Sequence, residues 1–123
     1  MKLKEMRLYG TITSGGALTV NGDCAVFGRL YAVRWVDTAL DACTATISTQ
    51  GHEASATLLT LTAVNATATY YPRDVVHDAT GGALTGTSGG DRCLPLMVGI
   101  PRLVVSSGGS TNAGGCVLFY FED

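Results

Sequence analysis

The fold is decided by a stretch in the middle of the chain, Cys43-Thr44-Ala45-Thr46-Ile47-Ser48. Apolar residues alternate there with hydroxyl-bearing ones. Because successive side chains of a β-strand point to opposite faces, this order places Cys43, Ala45 and Ile47 on one face and the hydroxyl groups on the other. The stretch therefore predicts a strand with one buried face, and the same period recurs along most of the chain.

Alternation of this kind predicts further strands at residues 6–13, 17–20, 24–36, 56–64, 67–71, 93–98, 102–106 and 116–121. The only helical candidate, 36–42, is too short to form a stable helix by itself. Short strands at this spacing indicate an all-β domain, a β-sandwich or jelly-roll-like barrel of about seven to nine antiparallel strands. We expect residues 1–16 to form an N-terminal strand or arm and 17–123 to form the sandwich, as a single domain.

Local signals give finer expectations. Asn21-Gly22 predicts a type I′ hairpin turn, in which both central residues need positive φ. Gly28, inside a long strand, predicts a bulge or bend, and Pro95 predicts that the strand at 93–98 lies at a sheet edge. The strands at 102–106 and 116–121 are expected to pair across a loop of small polar residues.

Composition narrows the class of protein. The chain has 123 residues, of which 46% are hydrophobic and only 15% charged, with a net charge of −2. This charge gives no basic stripe for nucleic acid. No stretch reaches the roughly 20 apolar residues that span a bilayer, and the basic start lacks the apolar segment of a secretory signal. We therefore expect no nucleic-acid or membrane partner, and synthesis and folding in a cytoplasm.

Four cysteines lie in or beside apolar runs, and none has the spacing of metal ligands: Cys24, Cys43, Cys93 and Cys116. In a reducing compartment they are expected to be buried small hydrophobic residues. Their even number leaves a disulfide open.

The run Gly86-Thr87-Ser88-Gly89-Gly90-Asp91 looks like the nucleophile segment of chymotrypsin-like proteases. A reactive serine needs a histidine base within hydrogen-bond reach, itself oriented by an acid. His52 lacks the flanking residues of that family, so a glycine turn is the better interpretation. No acid, base, nucleophile or metal cluster has a partner at suitable spacing. We expect no enzyme activity, no cofactor and no metal site.

Charged residues gather in the irregular region at 73–92. Arg73 and Arg92 lie there with Asp74, Asp78 and Asp91. Planar, bidentate arginine–carboxylate pairs are suited to fixing the orientation of two subunits. An intersubunit clasp and a solvated loop both remain open. His77 is expected to be a loop or edge histidine bonded to a neighbouring carboxylate.

Aromatic residues adjoin this region. Tyr70 and Tyr71 are adjacent in a strand, so at most one of them faces solvent. Burial in the core or at a subunit interface is preferred to a carbohydrate contact. The candidate interface residues are Tyr70, Tyr71, Arg73, Asp74, His77, Asp91 and Arg92.

Four motifs follow one another in order. They are Gly28-Arg29-Leu30-Tyr31-Ala32; Tyr70-Tyr71-Pro72-Arg73 with the following His77-Asp78; Gly89-Gly90-Asp91-Arg92-Cys93-Leu94-Pro95-Leu96; and an aromatic last strand. In this order, residues 24–123 resemble the small all-β structural proteins of tailed-bacteriophage virions. The resemblance implies a non-catalytic capsid decoration (cement) protein on the capsid exterior, which stabilises the head by binding between capsomers. It also implies a homo-oligomer, a homotrimer, that binds the major capsid protein.

Two alternatives stay open. A head–tail connector, neck or tail component would also be β-rich and without enzyme activity. A carbohydrate-binding module would need an exposed row of aromatic side chains. A further hypothesis is that residues 1–8 add a strand to the sheet of a neighbouring molecule.

Overall fold

The computed structural model describes residues 2–12, 16–37, 43–50, 56–64, 66–75, 79–81, 92–106 and 113–122. These residues form ten strands: β1 Lys2–Thr11, β2 Leu18–Asn21, β3 Val26–Asp37, β4 Cys43–Gln50, β5 Ala56–Val64, β6 Ala68–Tyr70, β7 Asp74–Val75, β8 Arg92–Cys93, β9 Leu96–Ser106 and β10 Ala113–Glu122. Every strand pair is antiparallel. The predicted all-β fold is confirmed. Over these ranges, no helix has the length and apolar character needed to cross a membrane.

Eight strands form one sheet in the order β1-β10-β3-β9-β4-β5, with β2 also paired to β9 and β6 to β3. The strands β7 and β8 make a separate two-stranded sheet. Within the described ranges the terminal strands β1 and β5 do not pair with each other. The sheet is therefore not closed, and the barrel alternative is wrong.

The open sheet bends back on itself to enclose one core. Met6 of β1 lies in the same buried cluster as Ala45 and Ile47 of β4, although three strands separate β1 from β4 in the sheet. At the fold, β1 packs face to face with β2, since a Cβ at Gly10 would lie 2.8 Å from Leu18 Cδ1. The two halves of the sheet thus form the layers of a sandwich.

Alternating side chains fill this core. Cys43, Ala45 and Ile47 are buried, as their spacing predicts, while Thr44 and Thr46 are half-buried. Burying a large apolar side chain contributes roughly 1.5–3 kcal/mol before the entropy cost of ordering it. The largest fully buried apolar side chains are Leu8, Ile12, Leu30, Trp35, Ile47, Met97, Leu103 and Leu118.

The strand β9 replaces the two strands predicted at 93–98 and 102–106. It runs without a break from Leu96 to Ser106. Gly99 lies between the half of β9 that pairs with β3 and the half that pairs with β4. Its φ of +118°, which an L-residue rarely adopts, occurs where the partner of β9 changes from β3 to β4.

Two other expectations about this region are wrong. Pro95 is not at an edge, because it is buried just before the central strand β9, where its carbonyl accepts a hydrogen bond from Leu30 N at 2.9 Å. Residues 102–106 and 116–121 are not paired, because β3 lies between β9 and β10.

The predicted hairpin at Asn21-Gly22 is also wrong. Neither residue has positive φ, and β2 pairs with β9 rather than with β3. The strands β2 and β3 pair with successive parts of β9. Between these two parts, Gly22 N donates a hydrogen bond to the Pro101 carbonyl at 2.8 Å.

The bulge in β3 lies at Tyr31 instead of Gly28. Leu30 is opposite Tyr120 and Ala32 is opposite Phe119, which leaves Tyr31 without a partner in β10. Gly28 has a different role. A Cβ at this position would lie 2.0 Å from the carbonyl oxygen of Phe121, so β10 passes too close for any side chain.

The N-terminal segment belongs to the sheet. Residues 2–11 pair with 122–113 of the same chain in one unbroken register. Among the described strands, only one edge of β1 is paired, so the hypothesis of strand addition now concerns its other edge. Of the helical candidate at 36–42, residues 36 and 37 belong to β3 and the rest lies outside the described residues.

Candidate interaction surface

The candidate surface is the outer face of β3 and β10, and the bulge at Tyr31 lies within it. An extra residue in a strand re-aims its side chain out of the regular pleat. The Tyr31 ring is 40% exposed and packs edge-to-face on two others. Its centroid lies 5.7 Å from that of Phe121 and 5.9 Å from that of Tyr71, with interplanar angles of 71° and 82°. Such pairs contribute about 0.5–1.5 kcal/mol beyond the area they bury.

Arg73 holds this arrangement from the side of the segment after β6. Its Nη1 donates hydrogen bonds to the Tyr31 carbonyl at 2.9 Å and to the Pro72 carbonyl at 2.6 Å. Its guanidinium also lies 5.6 Å from the centroid of the Tyr31 ring, within cation–π range. Among the described residues, the partners of Arg73 are thus two carbonyls and a ring. Tyr31, Tyr71, Arg73 and Phe121 are called the Tyr31 cluster below.

A row of outward-facing residues extends the cluster across four strands. Leu3 of β1 is opposite Phe121 of β10, Phe121 is opposite Arg29 of β3, and Arg29 is opposite Leu96 of β9. Residues directly opposite in antiparallel strands project from the same face. Leu3 and Leu96 are 55% and 51% exposed. Arg29 Nη1 donates to the Leu94 carbonyl at 3.2 Å, which keeps its guanidinium on this surface.

Phe27, also exposed, lies two residues before Arg29 on the same face. We call this surface the outer aromatic face, formed by the Tyr31 cluster with Leu3, Phe27, Arg29 and Leu96. Aromatic residues and arginine are the types enriched in the buried centres of protein interfaces.

The structure separates the predicted interface residues. Tyr71 is exposed in the outer aromatic face, whereas Tyr70 is half-buried against the core, opposite Val33. This confirms that one tyrosine of the adjacent pair faces solvent. Asp74 is opposite Cys93 in the β7–β8 pair, and Arg92 is opposite Val75. His77, Asp78 and Asp91 lie outside the described residues.

Sequence reasoning missed most of the surface. Leu3, Phe27, Arg29, Tyr31 and Leu96 were not identified as interface residues. A signal was present in β3, where residues 26–33 are apolar on both faces of the strand apart from Arg29. A strand that is apolar on both faces indicates that both are covered.

The cysteines divide into two groups. Cys43 and Cys116 are buried, as expected, but Cys24 is exposed and Cys93 half-buried, so the expectation of burial is wrong for Cys24. None of these four described residues forms a disulfide. Burial raises the pKa of the Cys116 thiol to about 12, which keeps it protonated and unreactive at neutral pH.

The described ranges hold no group of three or more histidine, cysteine, aspartate or glutamate side chains placed to bind a metal ion. A cleft of about 330 Å³ opens between β5 and β6, lined by threonine, alanine and small apolar side chains together with Tyr70. This lining offers hydroxyl groups and apolar surface, and its residues include no acid, base or thiol.

Comparison of the chain with protein-family models, with characterised proteins and with solved structures finds no match. Function is therefore inferred from the residues and the surfaces they form.

Proposed function

We propose that the chain is a structural protein of a tailed-bacteriophage virion, a capsid decoration protein that binds between capsomers on the outside of the head. The observation that carries the proposal is the outer aromatic face. It brings together exposed apolar and aromatic side chains from four paired strands and the segment after β6, beside the guanidinium groups of Arg29 and Arg73. Surfaces of this composition are buried in protein–protein contacts.

The low charge of the chain and the paired backbone of the sheet favour the same role. A rigid face loses little conformational entropy on docking, so more of the contact energy remains as affinity. Many weak contacts repeated around a shell then add up through avidity. In this proposal the partners are the major capsid protein and other copies of the chain, arranged as the trimer that the sequence resemblance implies.

The test is binding to undecorated capsids of the parent phage, measured by co-sedimentation and by the heat resistance of the decorated shells. We expect Tyr71→Ala combined with Leu96→Ala to weaken binding, because both side chains are exposed at the outer aromatic face. Val104→Ala is the matched control, since Val104 is an exposed apolar residue in the half of β9 that pairs with β4. Equal binding by all three proteins would overturn the role of this face.

Copy number separates the related virion roles. A decoration protein should approach the abundance of the major capsid protein in purified particles, whereas a connector or neck protein is present in far fewer copies. The native mass of the free protein shows whether it is a trimer.

A carbohydrate-binding module is the second candidate, because Tyr71 and Tyr31 are exposed neighbouring rings on which a sugar can stack. Binding on a glycan array that is lost with Tyr71→Ala, together with indifference to capsids, would favour that function and sink the first.

A further inference from the structure

The edge of β1 that faces away from β10 is a candidate surface for pairing with another strand. β1 is ten residues long and pairs with β10 without a bulge. In the described part of the chain, no strand pairs along its other edge. Its residues 2–5, 7 and 9 are all exposed. A long, regular edge strand presents unpaired N–H and C=O groups and is a template for another strand.

We propose that two copies of the chain pair through this edge, antiparallel, about a two-fold axis at Met6. In a continuous sheet such an axis is perpendicular to the sheet, so the residue on the axis faces its own counterpart. The side chains then discriminate between an axis at Met6 and an axis at either neighbouring residue. Centring on Glu5 would oppose two carboxylates and centring on Arg7 two guanidinium groups, and like charges directly opposite are destabilising.

Centring on Met6 gives complementary pairs on the outer face. Glu5 then lies opposite Arg7 of the second copy, and by symmetry Arg7 lies opposite its Glu5. Leu3 lies opposite Tyr9 of the second copy, again twice. Leu3 and Tyr9 are 55% and 45% exposed, so this contact covers two of the larger exposed apolar side chains of β1.

This contact identifies a surface through which copies of the chain meet, and so it deepens the proposed function. Only the role of the contact on the shell rests on that function. Neighbouring threefold positions of an icosahedral shell are related by two-fold axes. The same pairing would therefore join copies that belong to adjacent trimers. Pairing in solution and binding to shells are measured separately, so either can fail alone.

The test is disulfide cross-linking between copies, in a Cys24→Ser background that removes the exposed native thiol. We expect Leu3→Cys and Tyr9→Cys proteins to form a covalent dimer when mixed under mild oxidation, and neither to do so alone. Directly opposite residues have the Cα separation that a disulfide needs. Arg7→Cys and Thr11→Cys are the register controls, because they would react with Leu3→Cys only if the axis lay at Glu5 or Arg7.

Charge reversal tests the same register independently. Glu5→Arg in both partners places like charges opposite each other at two positions and should lower the yield of dimer about tenfold. Adding Glu5→Arg to the Leu3→Cys protein and Arg7→Glu to the Tyr9→Cys protein restores both opposite-charge pairs and should restore the yield.

Three results would overturn the pairing: no dimer in the first mixture, a higher yield with a register control, or no recovery in the charge-swapped pair. If the edge binds a strand of another protein instead, no dimer forms in the mixture of Leu3→Cys and Tyr9→Cys proteins. Shell binding by the Glu5→Arg protein then reports separately on the proposed function.

Discussion

Arg73 donates a hydrogen bond from Nη1 to the backbone carbonyl of Tyr31, 42 residues earlier in the chain, at 2.9 Å. The same guanidinium covers the Tyr31 ring. One side chain thus fixes both the backbone of the bulge in β3 and the ring that the bulge turns outward. Because Tyr71 packs on that ring, the segment after β6 is attached to the sheet at this point.

Removing this side chain should loosen the outer aromatic face. Arg73→Ala loses two charge-assisted hydrogen bonds and a cation–π contact, and because the group is partly exposed we expect a loss of about 1–2 kcal/mol in the free energy of unfolding. Arg73→Lys keeps the charge but not the planar group, so it should recover only part of this. Urea unfolding at neutral pH measures both.

Arg34→Ala is the control for Arg73. Arg34 is exposed and its Nη1 donates one hydrogen bond, to Thr69 Oγ1 at 2.8 Å. Its loss should cost less than about 0.5 kcal/mol. Equal effects at the two positions would show that Arg73 does not anchor the face.

Gly28 is predicted to be intolerant of any side chain. Alanine is ordinarily better than glycine in a strand, by roughly 0.5–1 kcal/mol. Here the added Cβ would meet the Phe121 carbonyl oxygen at 2.0 Å, and this backbone atom cannot move without breaking the β3–β10 ladder. We expect Gly28→Ala to destabilise the protein by about 3 kcal/mol, seen as a lower unfolding midpoint.

Gly10→Ala provides the comparison for Gly28. Its Cβ would meet the Leu18 methyl group at 2.8 Å, and the end of a leucine side chain can rotate away. A cost as large as that of Gly28→Ala would indicate that the backbone contact is not the cause.

The parts of the fold that follow from local alternation were predictable. The stretch from Cys43 to Ser48 reveals a strand and its buried face because both depend only on the period of the side chains. The union of two predicted strands into β9 was not predictable. Gly99 and Pro101 are typical of breaks, yet both lie inside β9, where Gly99 has a φ of +118°. Pro101, which lacks an N–H, faces the gap between β2 and β3, where only its carbonyl is used.

The surface was less predictable than the fold for a related reason. The outward position of Tyr31 depends on its lack of a partner in β10, which is a property of the register between two distant strands. The neighbours of Arg73 are likewise set by the packing of β3 beside the segment after β6. The sequence left an intersubunit arginine–carboxylate clasp and a solvated loop both open, because the nearest charges along the chain are acidic.

Ala63 offers a stabilising substitution. Its φ is +54°, in the left-handed region, where the β4–β5 register passes from Cys43–Val64 to Ala45–Leu61. This conformation costs an L-residue roughly 1–2 kcal/mol of free energy and costs glycine almost none. Ala63 is exposed, so its methyl group contributes little packing.

We therefore expect Ala63→Gly to raise the free energy of unfolding by about 0.5–1 kcal/mol, measured by urea unfolding. Ala45→Gly, at a buried position of β4 without positive φ, should instead lower it by a similar amount or more. A loss of stability in both variants would contradict the strain at Ala63.

Stability should fall at alkaline pH, and the buried thiol of Cys116 contributes to this loss from about pH 9. Burial raises the pKa of its thiol from 9.0 to about 12 in the folded chain. Between these values the unfolded chain has released the proton and the folded chain still holds it, so stability falls as pH rises. Three pKa units correspond to about 4 kcal/mol at most.

Two other groups extend the effect to higher pH. Burial, and then the Glu122 charge, raises the pKa of the Tyr120 hydroxyl above its ordinary 10.0. A hydrogen bond from Lys4 to Glu122, and then their charge attraction, raises the pKa of the Lys4 ammonium above 10.5. The contribution of Lys4 is complete below 10.5 and is lost only as pH rises through its folded-state pKa.

These windows separate the contribution of Cys116 from those of Tyr120 and Lys4. Between pH 8 and 10, Cys116→Ala should lose less stability per pH unit than the unaltered protein, although the core cavity lowers its stability at every pH. Tyr120→Phe should flatten the curve only above pH 10, because the unfolded chain titrates there. Urea midpoints across pH 7–11 measure all three proteins. Parallel curves for the unaltered protein and Cys116→Ala would show that the buried thiol does not control the alkaline loss.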